Sequence, residues 1–118
     1  MAYANQHEWQ AERNAQLLAE RIMSPAETAY PDWVITIAFY RALHLVDMAL
    51  AAQKGIIDIQ NHDERKQHIC SYLRGSFGNY QTLEDLSRKA RYSAIEPTCD
   101  DIQDALELLQ RIEEAVQR

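Results

Sequence analysis

The run NHDERKQHICSY, residues 61–72, holds the groups best suited to chemistry in this 118-residue chain. His62, Arg65, Ile69 and Tyr72 recur at intervals of three, four and three, so a helix would line them along one face, with His68 at its edge. An imidazole moves a proton near neutral pH, and a guanidinium holds a phosphate through a two-pronged hydrogen bond. Metal-free RNA cleavage needs such a set. One group takes the proton of a ribose hydroxyl, one protonates the leaving oxygen, and a cation steadies the charged phosphorane. His62, Arg65 and His68 are therefore the candidate catalytic residues. The same residues also suit a plain helix start and a solvated surface. His62 and His68 stand six apart and point about 120° away from each other, so no metal site and no cofactor are expected.

A second set could hold phosphate or RNA: His44 in FYRALHLVD, Lys66 beside Arg65, and Arg88, Arg91 and Tyr92 in SRKARY. Charge is unevenly spread. Residues 1–64 carry nine acids and four bases, residues 65–91 six bases and two acids, and residues 92–118 seven acids and two bases. The net charge of −6 disfavours non-specific attraction to nucleic acid, yet one basic segment remains for a local phosphate site. Structural roles stay open here too. His44 could be satisfied by Asp47, and Glu84–Arg88 and Asp85–Lys89 have the favoured helical order for ion pairs. The glycine-rich phosphate loop, the dinucleotide fingerprint, HExxH and GxSxG are all absent.

These side chains must be positioned by helices. Three glycines and three prolines are too few for a turn-rich sandwich or barrel. The spacing predicts a first helix from about His7 to Met23, with Trp9, Leu17, Leu18 and Ile22 as its apolar members, ended by Ser24-Pro25. A second helix runs from Trp33 to about Gln53, capped by Asp32 and stopped by Gly55. Residues 56–60 form a linker. Asn61 caps a third helix reaching about Arg74, GSFGNY makes a loop, and a fourth helix spans about Tyr80 to Ser93 with Leu83, Leu86 and Ala90 inward. Thr98 or Asp100 caps a fifth, on which Ile102, Ala105, Leu106, Leu109, Ile112 and Val116 recur at helical spacing. The expected fold is all-α: one compact up-and-down bundle of four to five helices.

DWVITIAFYRALHLVDMALAAQKG, then NHDERKQHI, then LSRKARY and a long amphipathic helix together resemble the HEPN superfamily of small prokaryotic helical domains. The resemblance covers about residues 30–116, with residues 1–29 as an added helix and connector. It implies a helical bundle paired as a symmetric dimer. It also implies metal-independent endoribonuclease activity or nucleotide binding, in toxin–antitoxin or antiphage settings. A nucleotidyltransferase antitoxin or a defence effector would then be the protein partner. Active members carry an arginine followed, after four to six residues, by a histidine. No arginine here has a histidine five to seven positions later; Arg65 precedes His68 by three. A non-catalytic dimerisation or docking protein is the alternative.

The second helix is apolar around most of its circumference, which independently points to a homodimer that would bury the excess. No run of about 18 uninterrupted apolar residues occurs, so no membrane partner is expected. The polar start and the isolated Cys70 and Cys99 point to a cytoplasmic protein.

Overall fold

A computed structural model of the chain describes residues 4–20, 23–25, 28–93 and 95–116. Among these the order is α1 (Ala4–Leu18), α2 (Pro31–Lys54), α3 (His62–Tyr72), a 3-10 turn (Arg74–Ser76), α4 (Phe77–Tyr92) and α5 (Cys99–Val116), with no strand among the described residues. α2 is the axis. Helices α1, α4 and α5 pack around it, and α4 also packs on α5. Val34, Ala38, Phe39, Ala42, Val46 and Leu50 of α2 are buried there. By length and composition α2 could cross a bilayer, but 72% of its most apolar window is buried inside the fold. Its neighbours in the same chain cover most of its apolar circumference, and Trp33 is left 55% exposed.

Local chemistry sets the boundaries. α2 begins at Pro31, whose fixed φ suits a first turn and whose missing N–H would have been unpaired there anyway. Asp32 is therefore not the cap. It lies in the first turn, where its charge complements the helix dipole, and Tyr30 precedes the helix without a side-chain cap bond. Gly55, at φ 68°, closes α2 as expected, its N–H donating to the Ala51 carbonyl at 3.1 Å. The Asn61 side chain accepts from the Glu64 N–H at 2.8 Å, and Glu64 accepts from the Gln60 N–H at 3.0 Å. At α5 the cap is Thr98: its hydroxyl accepts from the Asp101 N–H at 3.1 Å, and Asp101 accepts from the Thr98 N–H at 2.9 Å.

Two segments differ from the sequence reading. GSFGNY is not a loop. The chain makes one 3-10 turn and enters α4 at Phe77, with Gly78 inside the first turn and Phe77 packed against the core. α1 ends at Leu18, short of Met23, and Ile22 lies outside the described residues. Trp9 is 57% exposed and Leu17 is exposed as well. The buried residue of α1 is Ala11, whose small side chain lets the helix backbone approach α2 closely. Arg41 of α2 exploits this, donating to the Ala11 carbonyl at 2.7 Å while pairing with Glu113 of α5, also at 2.7 Å. On α5, Ile102, Ala105, Leu109, Ile112 and Val116 are buried and Leu106 is half-buried. Cys70 and Cys99 are exposed free thiols.

Candidate functional site

A buried carboxylate organises the α2–α3 contact. Asp47 sits on the most apolar helix of the protein and is buried, so its charge requires a partner. Arg65 of α3 supplies it through two bonds: Nε donates to Oδ1 at 2.8 Å and Nη2 to Oδ2 at 3.0 Å. Burial disfavours the Arg65 charge, but the bonds to Asp47 outweigh it and hold the guanidinium protonated beyond its ordinary range. The third nitrogen, Nη1, lies 3.3 Å from His62 Nδ1. The Tyr80 phenol is buried beside Arg65, and burial pushes its proton loss far upward, with the Arg65 charge opposing the effect.

A second buried carboxylate stands on α4. Glu84 is only 2% exposed, and its two oxygens are used unequally. Oε1 accepts from Lys66 Nζ at 3.2 Å, Gln81 Nε2 at 3.3 Å and Arg88 Nη2 at 3.5 Å. Oε2 has no hydrogen-bond partner among the described residues, and His62 Nδ1 is 3.8 Å away. His62 thus stands between Arg65 and Glu84 with its ring 6.4 Å from that of Phe39.

The candidate catalytic trio is only partly assembled. His62 and Arg65 meet. His68 shares no bond with either among the described residues; its Nε2 is 3.7 Å from Glu64 Oε1, and its ring stacks on Tyr72 at 6.2 Å. His44 faces α1, with its Nδ1 2.9 Å from His7 Nδ1. Lys66 and Arg88 meet on Glu84.

Arg91 and Tyr92 form a separate arrangement one turn further along α4. The Arg91 guanidinium carbon lies 5.9 Å from the Tyr40 ring centroid and 5.4 Å from that of Tyr92. Its Nη1 donates to the Tyr40 hydroxyl at 3.3 Å and its Nε to the Ser87 carbonyl at 3.3 Å. No carboxylate pairs with Arg91 among the described residues. Tyr92 is 78% exposed. Arg88 and Arg91 are three apart on α4 and so share a face of that helix, while Arg88 and His62 both approach Glu84.

Sequence reasoning offers Asp47 to His44 and Glu84 to Arg88, but does not give Asp47 to Arg65, Glu84 to Lys66 or Tyr40 to Arg91. The two acids carry a signal, since an acid within an apolar helix, or one placed four before an arginine, demands a cation. His7 carries no such signal, since nothing in α1 alone shows which face turns inward.

We find no match to this chain among protein-family models, curated proteins or solved structures.

Proposed function

We propose that this chain is an HEPN-like helical module that binds RNA or nucleotide phosphate on the face formed by α2, α3 and α4. The observation that carries this reading is Arg91, a cation flanked by the Tyr40 and Tyr92 rings and paired with no acid among the described residues. A phosphate can take the charge while a base stacks on the exposed Tyr92 ring, the pairing of electrostatics and stacking that suits single strands. Arg88 and His62 extend the seat. Binding is better supported than cleavage, because Arg65 is committed to Asp47 and His68 is turned to Glu64. In this reading the protein works in the cytoplasm, in a toxin–antitoxin or antiphage setting. The test is fluorescence anisotropy with labelled single-stranded RNA in EDTA, with the RNA then resolved on a gel. Saturable binding lost in Arg91→Ala supports the module. Fragments ending in cyclic phosphate, lost in His62→Ala, would add endoribonuclease activity. Absence of binding at low salt would refute the reading.

A second reading is a dimerisation or partner-docking protein. It is favoured by Trp33 at 55% and Ile95 at 75% exposure, large apolar side chains left in water. Sedimentation equilibrium at micromolar concentration tests its dimer form: a 13.7 kDa species with no concentration dependence excludes the homodimer.

A further inference from the structure

We infer that α1 is an acid-released latch: the facing imidazoles of His7 and His44 hold it on α2 while one ring is neutral, and drive it off when both are protonated. The inference concerns the contact between α1 and α2 and does not rest on the phosphate reading.

The contact itself sets the condition. His7 Nδ1 and His44 Nδ1 are 2.9 Å apart, with ring centroids at 5.2 Å. At that distance one nitrogen must carry the proton and the other the lone pair. Two imidazolium rings would place two N–H groups, and two charges, against each other. The groups facing this pair come from three directions. Asp47 Oδ2 of α2 is 3.9 Å from His7 Nε2, but Arg65 of α3 already neutralises that carboxylate. Asp58 of the linker lines the same pocket, of about 310 Å³, with His7, Asp47 and Arg65. Arg41, paired with Glu113 of α5, holds the Ala11 carbonyl one helical turn away.

Besides the histidine pair, α1 is seated on α2 by its buried Ala11, by Leu18 packed against the core and by the Arg41 bond to the Ala11 carbonyl, so the charge of the two rings must work against that packing. Burial holds both imidazoles below their ordinary proton affinity, and for His44 the nearby His7 adds to this; Asp47 opposes and Arg65 reinforces the effect in both. The seated helix therefore binds fewer protons than the released one. Its stability is fully present above the ordinary histidine range near 6.5 and is lost as pH falls below it. Release uncovers the stripe of α2 on which Ile37, His44 and Met48 fall together by helical spacing.

The test is amide hydrogen exchange on the full chain at about pH 7.5 and about pH 5.5, expressed as protection factors corrected for intrinsic rates. Protection across α1 should fall by about fivefold or more at the lower pH while α5 keeps its own. The fall should vanish in His7→Gln/His44→Gln and persist in Glu113→Gln, which leaves the histidines in place. Equal α1 protection at both pH values overturns the latch. So does a parallel loss in α5, or a response that disappears with Glu113→Gln. Should the double variant fail to fold, the wild-type contrast between α1 and α5 still decides.

Discussion

Arg65 grips both oxygens of Asp47, and this fork joins α3 to the central helix. The pair lies at the protein's most apolar element, so breaking it strands a charge with poor access to water. Asp47→Ala should lower unfolding stability by about 3–5 kcal/mol, read by urea denaturation. Replacing both partners by apolar residues of similar size, Asp47→Leu with Arg65→Met, should recover much of that loss, because neither charge is then left buried. A double variant no more stable than Asp47→Ala would show that the fork contributes more than charge compensation. The pair also governs how activity data are read: Arg65→Ala unseats α3 as well as removing a cation, so it reports on RNA function only where the fold survives.

Glu84 gathers three donors on one oxygen, and the donors differ in what they risk. Glu84→Ala leaves Lys66 and Arg88 facing a hole between α3 and α4 and should cost about 3 kcal/mol. Arg88→Ala removes a mostly solvated partner and should cost about 0–1 kcal/mol. Thermal melts of the two variants check the order. A larger effect from Arg88→Ala would mean that its contact with Glu84 is not the exposed ion pair described.

The helices were legible because their signals are local. Gly55 after an apolar run, Asn61 three residues before Glu64, and Thr98 three before Asp101 each act within one turn. The α3–α4 junction was misread for the same reason: Gly75 and Gly78 look like a loop locally, while the packing of Phe77 against the core is a tertiary effect. The site was half legible. Residue type marked out His62, Arg65, Lys66, Arg88 and Arg91, but not which cations are spent on buried acids. That depends on Asp47 and Glu84 being brought to them by helix packing. Likewise the inward face of α1 is decided by a histidine and an alanine, so hydropathy pointed to Trp9, which is exposed.

The α5 cap gives an acid-side test with a defined sign. The backbone N–H of Thr98 holds the Asp101 carboxyl below its ordinary range, against a small opposing effect of burial. A depressed carboxyl contributes stability that is present above its unfolded value of 3.8 and is lost as pH falls through the folded value. Asp101→Asn should therefore flatten part of the acid-side decline in melting temperature and change little near neutrality. Thr98→Ala, which removes the oxygen accepting from the Asp101 N–H, should cost about 1 kcal/mol at neutral pH. Both follow from thermal melts across the acid range.

Phosphate binding should divide the cations by what they already hold. Lys66 and Arg88 sit on Glu84, so their charges are partly compensated, whereas Arg91 meets tyrosine and a carbonyl and no acid among the described residues. A cation that neutralises a phosphate releases a counterion and steepens the dependence of affinity on salt. Arg91→Gln should therefore reduce the slope of log affinity against log salt by about 0.7 for a single-stranded RNA, and Lys66→Gln by clearly less. Tyr92→Leu should behave differently again. It removes a stacking surface and no charge, so affinity should fall by about 1–3 kcal/mol with the slope unchanged. Anisotropy titrations of each variant across a salt series supply all three numbers. Equal slopes for wild type and Arg91→Gln would place the phosphate elsewhere, even if binding itself were strong.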